Sequence, residues 1–199
     1  MTINIPSSLK ITLADFMDYH AAPDDISKMI VITKWRREKV LQLKPETIDK
    51  TIELYEIELS AGADFPRRFK VADRHYGFIP NLETISLGEF TDLDSYLTKL
   101  VAKDYSELDK MFCVLFRPIK MEFGELYTLK RYDLGKIERY INDIRTMPMY
   151  HVHGVLAFFL TLENELLKSF PQYLLQRLRT KQTQIEHHLS GQVSGGSTS

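Results

Sequence analysis

The sequence predicts a mainly α protein, a single-domain helical bundle with one small β-hairpin and a disordered C-terminal tail. Three observations predict this class. Apolar residues recur at spacings of three and four over much of the chain. Two short apolar runs separated by a spacer occur near residues 69–79. Residues 190–199 are dominated by serine and glycine, a composition that does not bury a core. The predicted domain therefore covers residues 1–189, and a flexible Ser/Gly-rich tail covers residues 190–199.

Start signals define the helices of the first half. Thr12 precedes Asp15 by three residues, which is the spacing of a capping box. Residues 9–13 also alternate apolar and polar, so a brief strand is the alternative there, and we favour the helix. Proline followed by acidic residues marks two further starts, at Pro23 and Pro45. The predicted helices cover residues 13–20, 23–33 and 45–60.

The hairpin is predicted by two apolar runs, residues 69–71 and 76–79, which flank the four-residue spacer 72–75. Pro80 follows, and a proline has no N–H to donate to a continuing ladder. The second strand is therefore expected to end before Pro80.

The second half contains a further capping-box spacing, Ser86 with Glu89, which predicts a helix starting near Ser86. Residues 106–116 are apolar on most sides and predict a buried central helix closed by Pro118. Residues 121–132 mix aromatics with charges and Gly124, which leaves open an exposed loop or an irregular strand pair. Three more helices are predicted, over residues 134–144, 149–170 and 172–188.

Composition excludes several classes of partner. Twenty-six basic and 27 acidic residues give a formal net charge of −1, unlike a nucleic-acid binder, so no nucleic-acid partner is expected. The short basic clusters, including Lys130-Arg131, are interpreted as solvated faces. The longest apolar stretch, residues 155–162, is too short to cross a bilayer, so no membrane partner is expected. Cys113 is the only cysteine and lies in an apolar run, which predicts a buried, inert thiol.

The sequence contains no pattern of catalytic or metal chemistry. His151 and His153 are two residues apart, which on a helix separates them by roughly 200°, so they do not face one ion. The pair His187-His188 has no third ligand at a useful spacing. Glu163 and Glu165 fit the exposed edge of a helix better than a catalytic pair. We therefore predict no enzyme, with no catalytic residue, cofactor or metal.

Three segments together resemble a type of small protein encoded among the virion genes of tailed bacteriophages, including crAss-like phages: Tyr76–Leu82, Gly88–Leu93 and Val114–Ile119. The similarity covers roughly the middle half of the chain and includes no catalytic residue. It implies a non-enzymatic morphogenesis protein, located in the virion and assembled in the host bacterial cytoplasm. The implied partners are other phage structural proteins, with no small-molecule substrate, and the resemblance leaves open a homo-oligomer within the assembly.

Within that resemblance we favour a virion component, such as a ring, vertex or cargo protein near the portal, neck or tail, that acts through protein–protein contacts. The predicted core is well built and the predicted disordered end is short. The first alternative is a tail or baseplate assembly chaperone that is absent from the mature virion. The second alternative is a small enzyme with an unrecognised site.

Candidate partner contacts are the acidic residues of the Ser86 helix and aromatic residues expected to be exposed on one side. They are Trp35, Phe65, Glu89, Asp92, Asp94, Tyr127 and Tyr132.

Overall fold

The fold is of the α+β class. The computed structural model describes residues 3–62, 65–71, 73–79, 85–133, 135 and 137–158. Within these ranges about 55% of residues are helical and 16% lie in strands, and the strands form one four-stranded antiparallel sheet. The prediction of a mainly α bundle with a single hairpin is therefore wrong, because a second strand pair extends the hairpin into a sheet.

Along the chain, helices come both before and after the first hairpin. The helices are α1 (Leu13–Ala21), α2 (Asp25–Thr33), α3 (Arg37–Val40), α4 (Pro45–Ser60), α5 (Leu87–Val101), α6 (Leu108–Leu115), α7 (Glu138–Arg145) and α8 (residues 149–158). The strands are β1 (Arg68–Val71), β2 (Arg74–Phe78), β3 (Phe116–Phe123) and β4 (Leu126–Leu129).

Both predicted capping boxes are present, and they set the starts of α1 and α5. At α1 the N–H of Asp15 donates to Thr12 Oγ1 at 3.2 Å, and the N–H of Thr12 donates to Asp15 Oδ2 at 3.0 Å. At α5 the N–H of Glu89 donates to Ser86 Oγ at 3.3 Å, and the N–H of Ser86 donates to Glu89 Oε2 at 2.7 Å. These reciprocal bonds satisfy backbone donors that a helix start leaves without partners. Thr12 also pairs with Pro148 in an isolated bridge, so the strand alternative at residues 9–13 is reduced to one residue.

The first hairpin is confirmed, and its turn is shorter than predicted. Phe69 pairs with Tyr76 and Val71 pairs with Arg74, so only residues 72 and 73 connect the strands. Arg74 and His75, which the sequence places in the spacer, belong to β2.

The second hairpin begins where α6 ends. The sequence predicts a helix up to Phe116 and a stop at Pro118, but the backbone is already extended at Phe116, with φ −115° and ψ 118°. A residue that precedes proline disfavours the helical region, which explains an extended Arg117. Pro118 itself stays in β3 opposite Tyr76, and its carbonyl accepts the N–H of Lys130 at 3.0 Å. The helix prediction is therefore too long, and of the two possibilities for residues 121–132 the strand pair is correct.

Phe116 packs the end of α6 against the sheet. Its side chain is fully buried, and its ring lies 5.1 Å from that of Phe69, 5.3 Å from that of Phe78 and 6.1 Å from that of Phe112. These four rings come from β1, β2, α6 and β3. Aromatic rings at such separations add to the free energy gained by burying their apolar surface.

Glu89 connects α5 to β3. Besides closing the cap of α5, it places Oε1 2.9 Å from Nη1 of Arg117, and only 6% of its side chain is exposed. Burial lowers the pKa of Arg117, and the neighbouring Glu89 carboxylate opposes that shift. The Glu89 carboxylate therefore both caps the start of α5 and pairs with the Arg117 guanidinium group of β3.

The chain divides into two units, Met1–Val155 and Leu156–Ser199. Of the second unit, residues 156–158 are described and are helical. The helix predicted over residues 134–144 is observed from Glu138, and the helix predicted over residues 149–170 is observed as far as residue 158. The predicted helix 172–188, the tail 190–199 and the remainder of the predicted domain 1–189 lie outside the described residues. Within the described ranges, no helix combines the length and the apolar character that a membrane span requires.

We expect Glu89→Ala to lower the free energy of unfolding by about 3 kcal/mol, because it leaves Arg117 without its counter-ion and opens the cap of α5. Urea denaturation followed by circular dichroism measures this change. The matched control is Asp94→Ala, which removes an exposed carboxylate from the same helix and is expected to change stability by less than about 0.5 kcal/mol. Equal effects of the two substitutions would contradict the role given to Glu89.

Candidate interaction site

The end of the second hairpin extends beyond the part of the sheet that β2 covers. β2 pairs with β3 only at residues 116–118, whereas β4 pairs with residues 119–123. The register shifts between Ile119 and Met121, so Lys120 is an extra residue on β3. A bulge of this kind bends a strand and increases its twist. We call residues 119–129 the arm.

Arg68 of β1 binds the arm near its turn. Its Nη1 lies 2.7 Å from Glu122 Oε1 and donates to the carbonyl of Gly124 at 2.8 Å, and its Nη2 lies 2.7 Å from Glu125 Oε2. His75 of β2 adds a contact to the second oxygen of Glu122 at 3.2 Å. The hydrogen bond with His75 is the largest cause of a lowered pKa at Glu122, Arg68 lowers it further, and desolvation opposes both. The arm is thus bonded to the first hairpin.

Tyr127 fixes the arm at a second point. Its hydroxyl donates to the carbonyl of Phe78 at 2.7 Å and lies 3.3 Å from the carbonyl of Arg67. Its ring lies against Gly77 of β2, where a Cβ atom would be 2.5 Å from Tyr127 Cε2. Glycine at position 77 is therefore required for this close approach, even though its backbone conformation is available to any residue.

The tip of the arm carries three large apolar side chains in water: Met121 is 63% exposed, Phe123 is 88% exposed and Leu126 is 76% exposed. Phe123 pairs with Leu126 across the turn, and Gly124 in that turn has φ +59°, which favours glycine. Single exposed apolar residues are common, but three within six residues on a bonded hairpin are typical of a contact surface. We call these three side chains the arm tip.

The predicted acidic contacts do not form one surface. Glu89 is buried, as described above, and Asp92 accepts a hydrogen bond from the hydroxyl of Tyr132. That bond and, more strongly, desolvation raise the pKa of Tyr132. Asp94 is exposed. Two of the three carboxylates are thus occupied within the molecule.

The predicted aromatic contacts are all half-buried. Phe65 and Tyr127 both contact Phe78, the former with ring centroids 4.9 Å apart. Trp35 lies under the ammonium group of Lys39, 3.5 Å from the ring centroid. Tyr132 is bonded to Asp92. Phe65 and Tyr127 therefore contact the same residue, and Trp35 and Tyr132 lie in separate contacts.

Two groups that often perform chemistry, the thiol of Cys113 and the ring of His153, are engaged within the fold. Cys113 is buried, and burial raises the pKa of its thiol. The ring of His153 donates to the carbonyl of Leu59. No group of three or more His, Cys, Asp or Glu side chains is placed to hold a metal ion among the described residues. Glu163, Glu165, His187 and His188 lie outside them.

The sequence analysis did not predict the arm tip as a contact surface. The segment that could have indicated its turn is Phe123-Gly124-Glu125-Leu126, in which a glycine lies between apolar residues, as in a two-residue hairpin turn. That pattern identifies a turn, but exposure of Phe123 and Leu126 depends on how far β2 covers β3, which is a tertiary property.

No model of a known protein family matches the sequence, and neither a curated protein nor a solved structure is significantly similar to it.

We expect Gly77→Ala to lower the free energy of unfolding by about 2 kcal/mol, because the new methyl group displaces the ring of Tyr127. Gly88→Ala is the matched control, since a Cβ atom there would meet no described atom within 4 Å beyond its chain neighbours and the backbone of its own helix. In a helix this control is expected to be neutral or to stabilise by up to about 1 kcal/mol.

A double-mutant cycle with Tyr127→Ala identifies the cause. Once the ring is absent, Gly77→Ala is expected to have little effect on the urea midpoint. A full effect of Gly77→Ala in the Tyr127→Ala background would show that the contact does not set the requirement for glycine.

Proposed function

We propose that the protein is a non-enzymatic structural component of a tailed-bacteriophage virion, and that the arm tip binds a neighbouring virion protein. The observation that carries the proposal is the exposure of Met121, Phe123 and Leu126 on an arm that is bonded to the first hairpin. A bonded arm presents these side chains in a defined position, so little conformational entropy is lost when a partner covers them.

The partner surface that fits the arm tip is an apolar pocket or groove on another structural protein. Burial of a Met, Leu or Phe side chain contributes about 1.5–3 kcal/mol when it leaves water completely. Phe123 is the most exposed of the three and is the natural anchor, since aromatic side chains dominate the binding free energy of many interfaces.

Within the described residues, the segments that resemble phage virion proteins lie around β2, α5 and the passage from α6 into β3. Tyr76–Phe78 belong to β2, Gly88–Leu93 belong to α5, and Val114–Ile119 include the passage from α6 into β3. The resembling segments in β2 and at the start of β3 therefore lie next to the arm, which supports a virion role for it. We therefore expect the protein to be located in the virion, after assembly in the host bacterial cytoplasm.

The test compares incorporation into particles. The wild-type gene is deleted from the phage that encodes the protein. The double variant, Phe123→Ser with Leu126→Ser, is then expressed in a host infected by this deleted phage. We expect wild-type protein in purified particles and about tenfold less of the variant, because a polar tip loses the apolar contact. Quantitative mass spectrometry of gradient-purified particles measures both amounts.

The matched control is Leu87→Ser with Val101→Ser, which removes two exposed apolar side chains from α5. This control is expected to be incorporated like the wild type, and circular dichroism checks that both variants are folded. Absence of the wild-type protein from mature particles would reject the virion role, and its recovery with unassembled tail subunits would favour a chaperone. Normal incorporation of the arm variant would reject the arm tip as the contact.

A further inference from the structure

A cavity of about 530 Å³ lies between β3, the segment after β4 and the start of α7. Four basic residues line it: Arg117 from β3, Lys130 and Arg131 from the segment after β4, and Arg139 from α7. Its volume falls within the usual range for sites that bind small molecules. We call this cavity the basic pocket.

Three of the four basic residues that line the pocket have no acidic partner among the described residues. Lys130, Arg131 and Arg139 form no ion pair with another residue in the described ranges. Asp133 is the one carboxylate that lines the pocket within those ranges, and its Oδ1 accepts the N–H of Gly135 at 3.1 Å. A concave surface with cations on several sides concentrates positive potential and attracts anions.

Arg117 contributes a guanidinium group to the same wall. Its Nη1 lies 2.9 Å from Glu89 Oε1, and 17% of its side chain is exposed. Guanidinium groups bind planar oxyanions through two parallel N–H donors, which suits phosphate and carboxylate groups.

Uncharged side chains complete the pocket. Tyr140 and Ile137 contribute from the start of α7, and Pro118 contributes from β3. A ligand that carries only charge would leave this part of the wall uncovered. A carbon skeleton or ring between oxyanion groups would cover it.

We propose that the basic pocket binds a small polyanion whose charged groups are phosphates or carboxylates. Lys130, Arg131 and Arg139, which are exposed, bind the oxyanion groups, and Arg117, which is paired with Glu89, adds positive charge to the wall. This inference is independent of the virion role, because none of the residues that line the pocket belongs to the arm.

Isothermal titration calorimetry of the full chain in low-salt buffer tests the proposal, with inorganic pyrophosphate and citrate as separate probes. We expect saturable binding of at least one probe that weakens as salt is added, since screening reduces attraction between exposed charges. Binding of pyrophosphate alone assigns the site to phosphates, binding of citrate alone assigns it to carboxylates, and binding of both supports the shared chemistry.

The variant Lys130→Ala with Arg139→Ala is expected to bind about tenfold more weakly. Its control is Arg36→Ala with Lys50→Ala, which removes the same charge from exposed positions outside the pocket and is expected to bind like the wild type. Lys130→Gln with Arg139→Gln replaces the first variant if that variant does not fold. Failure of both probes to bind, or equal weakening in the control variant, would overturn the proposal.

Discussion

The structure depends on the direct passage from α6 into β3 at Phe116. No loop separates the two elements, so the direction of β3 is set by the last turn of α6. The N–H of Ile79 donates to the carbonyl of Leu115 at 2.9 Å, which bonds the end of the first hairpin to the same junction. Phe116 is buried against rings from β1, β2 and α6, and the close packing of such a core leaves little freedom for the junction to rotate.

A fixed junction determines where the second hairpin emerges. Because β3 leaves the core in one direction, its first three residues pair with β2 and its later residues pair only with β4. The bulge at Lys120 bends this extension, and Arg68 and Tyr127 bond it to the first hairpin. The exposed arm tip is thus a consequence of core packing. The basic pocket has the same origin, since Arg117 follows Phe116 directly and the segment after β4 returns beside it.

Local signals predicted the parts of the fold that local chemistry determines. The capping boxes at Thr12 and Ser86, the proline start of α4 and the first hairpin were found because each depends on residues a few positions apart. The passage from α6 into β3 was missed because Phe112 to Phe116 is equally suited to a buried helix or a buried strand, and periodicity does not distinguish them in short apolar runs. The fold class was wrong because this passage was missed and because residues 121–132, which hold the rest of the second strand pair, were left open between a loop and strands.

The candidate sites were harder to predict than the fold. Glu89 and Asp92 read as exposed acids on a helix, but Arg117 and Tyr132, which occupy them, are distant in sequence. Lys130-Arg131 read as a solvated pair, since its convergence with Arg117 and Arg139 appears only after β4 has returned along β3. The residues of such a pocket come from segments that are far apart in the sequence, so no local sequence pattern predicts it.

The most direct measurement of the central claim, that the arm tip is the contact with another virion protein, is site-specific photo-crosslinking in assembled particles. A photoreactive phenylalanine at position 123 replaces an aromatic side chain that is 88% exposed, and the same group at position 101 replaces a 59% exposed valine on α5. We predict crosslinks to a second virion protein from position 123 and none from position 101. Crosslinks from position 101 with none from position 123 would contradict the claim.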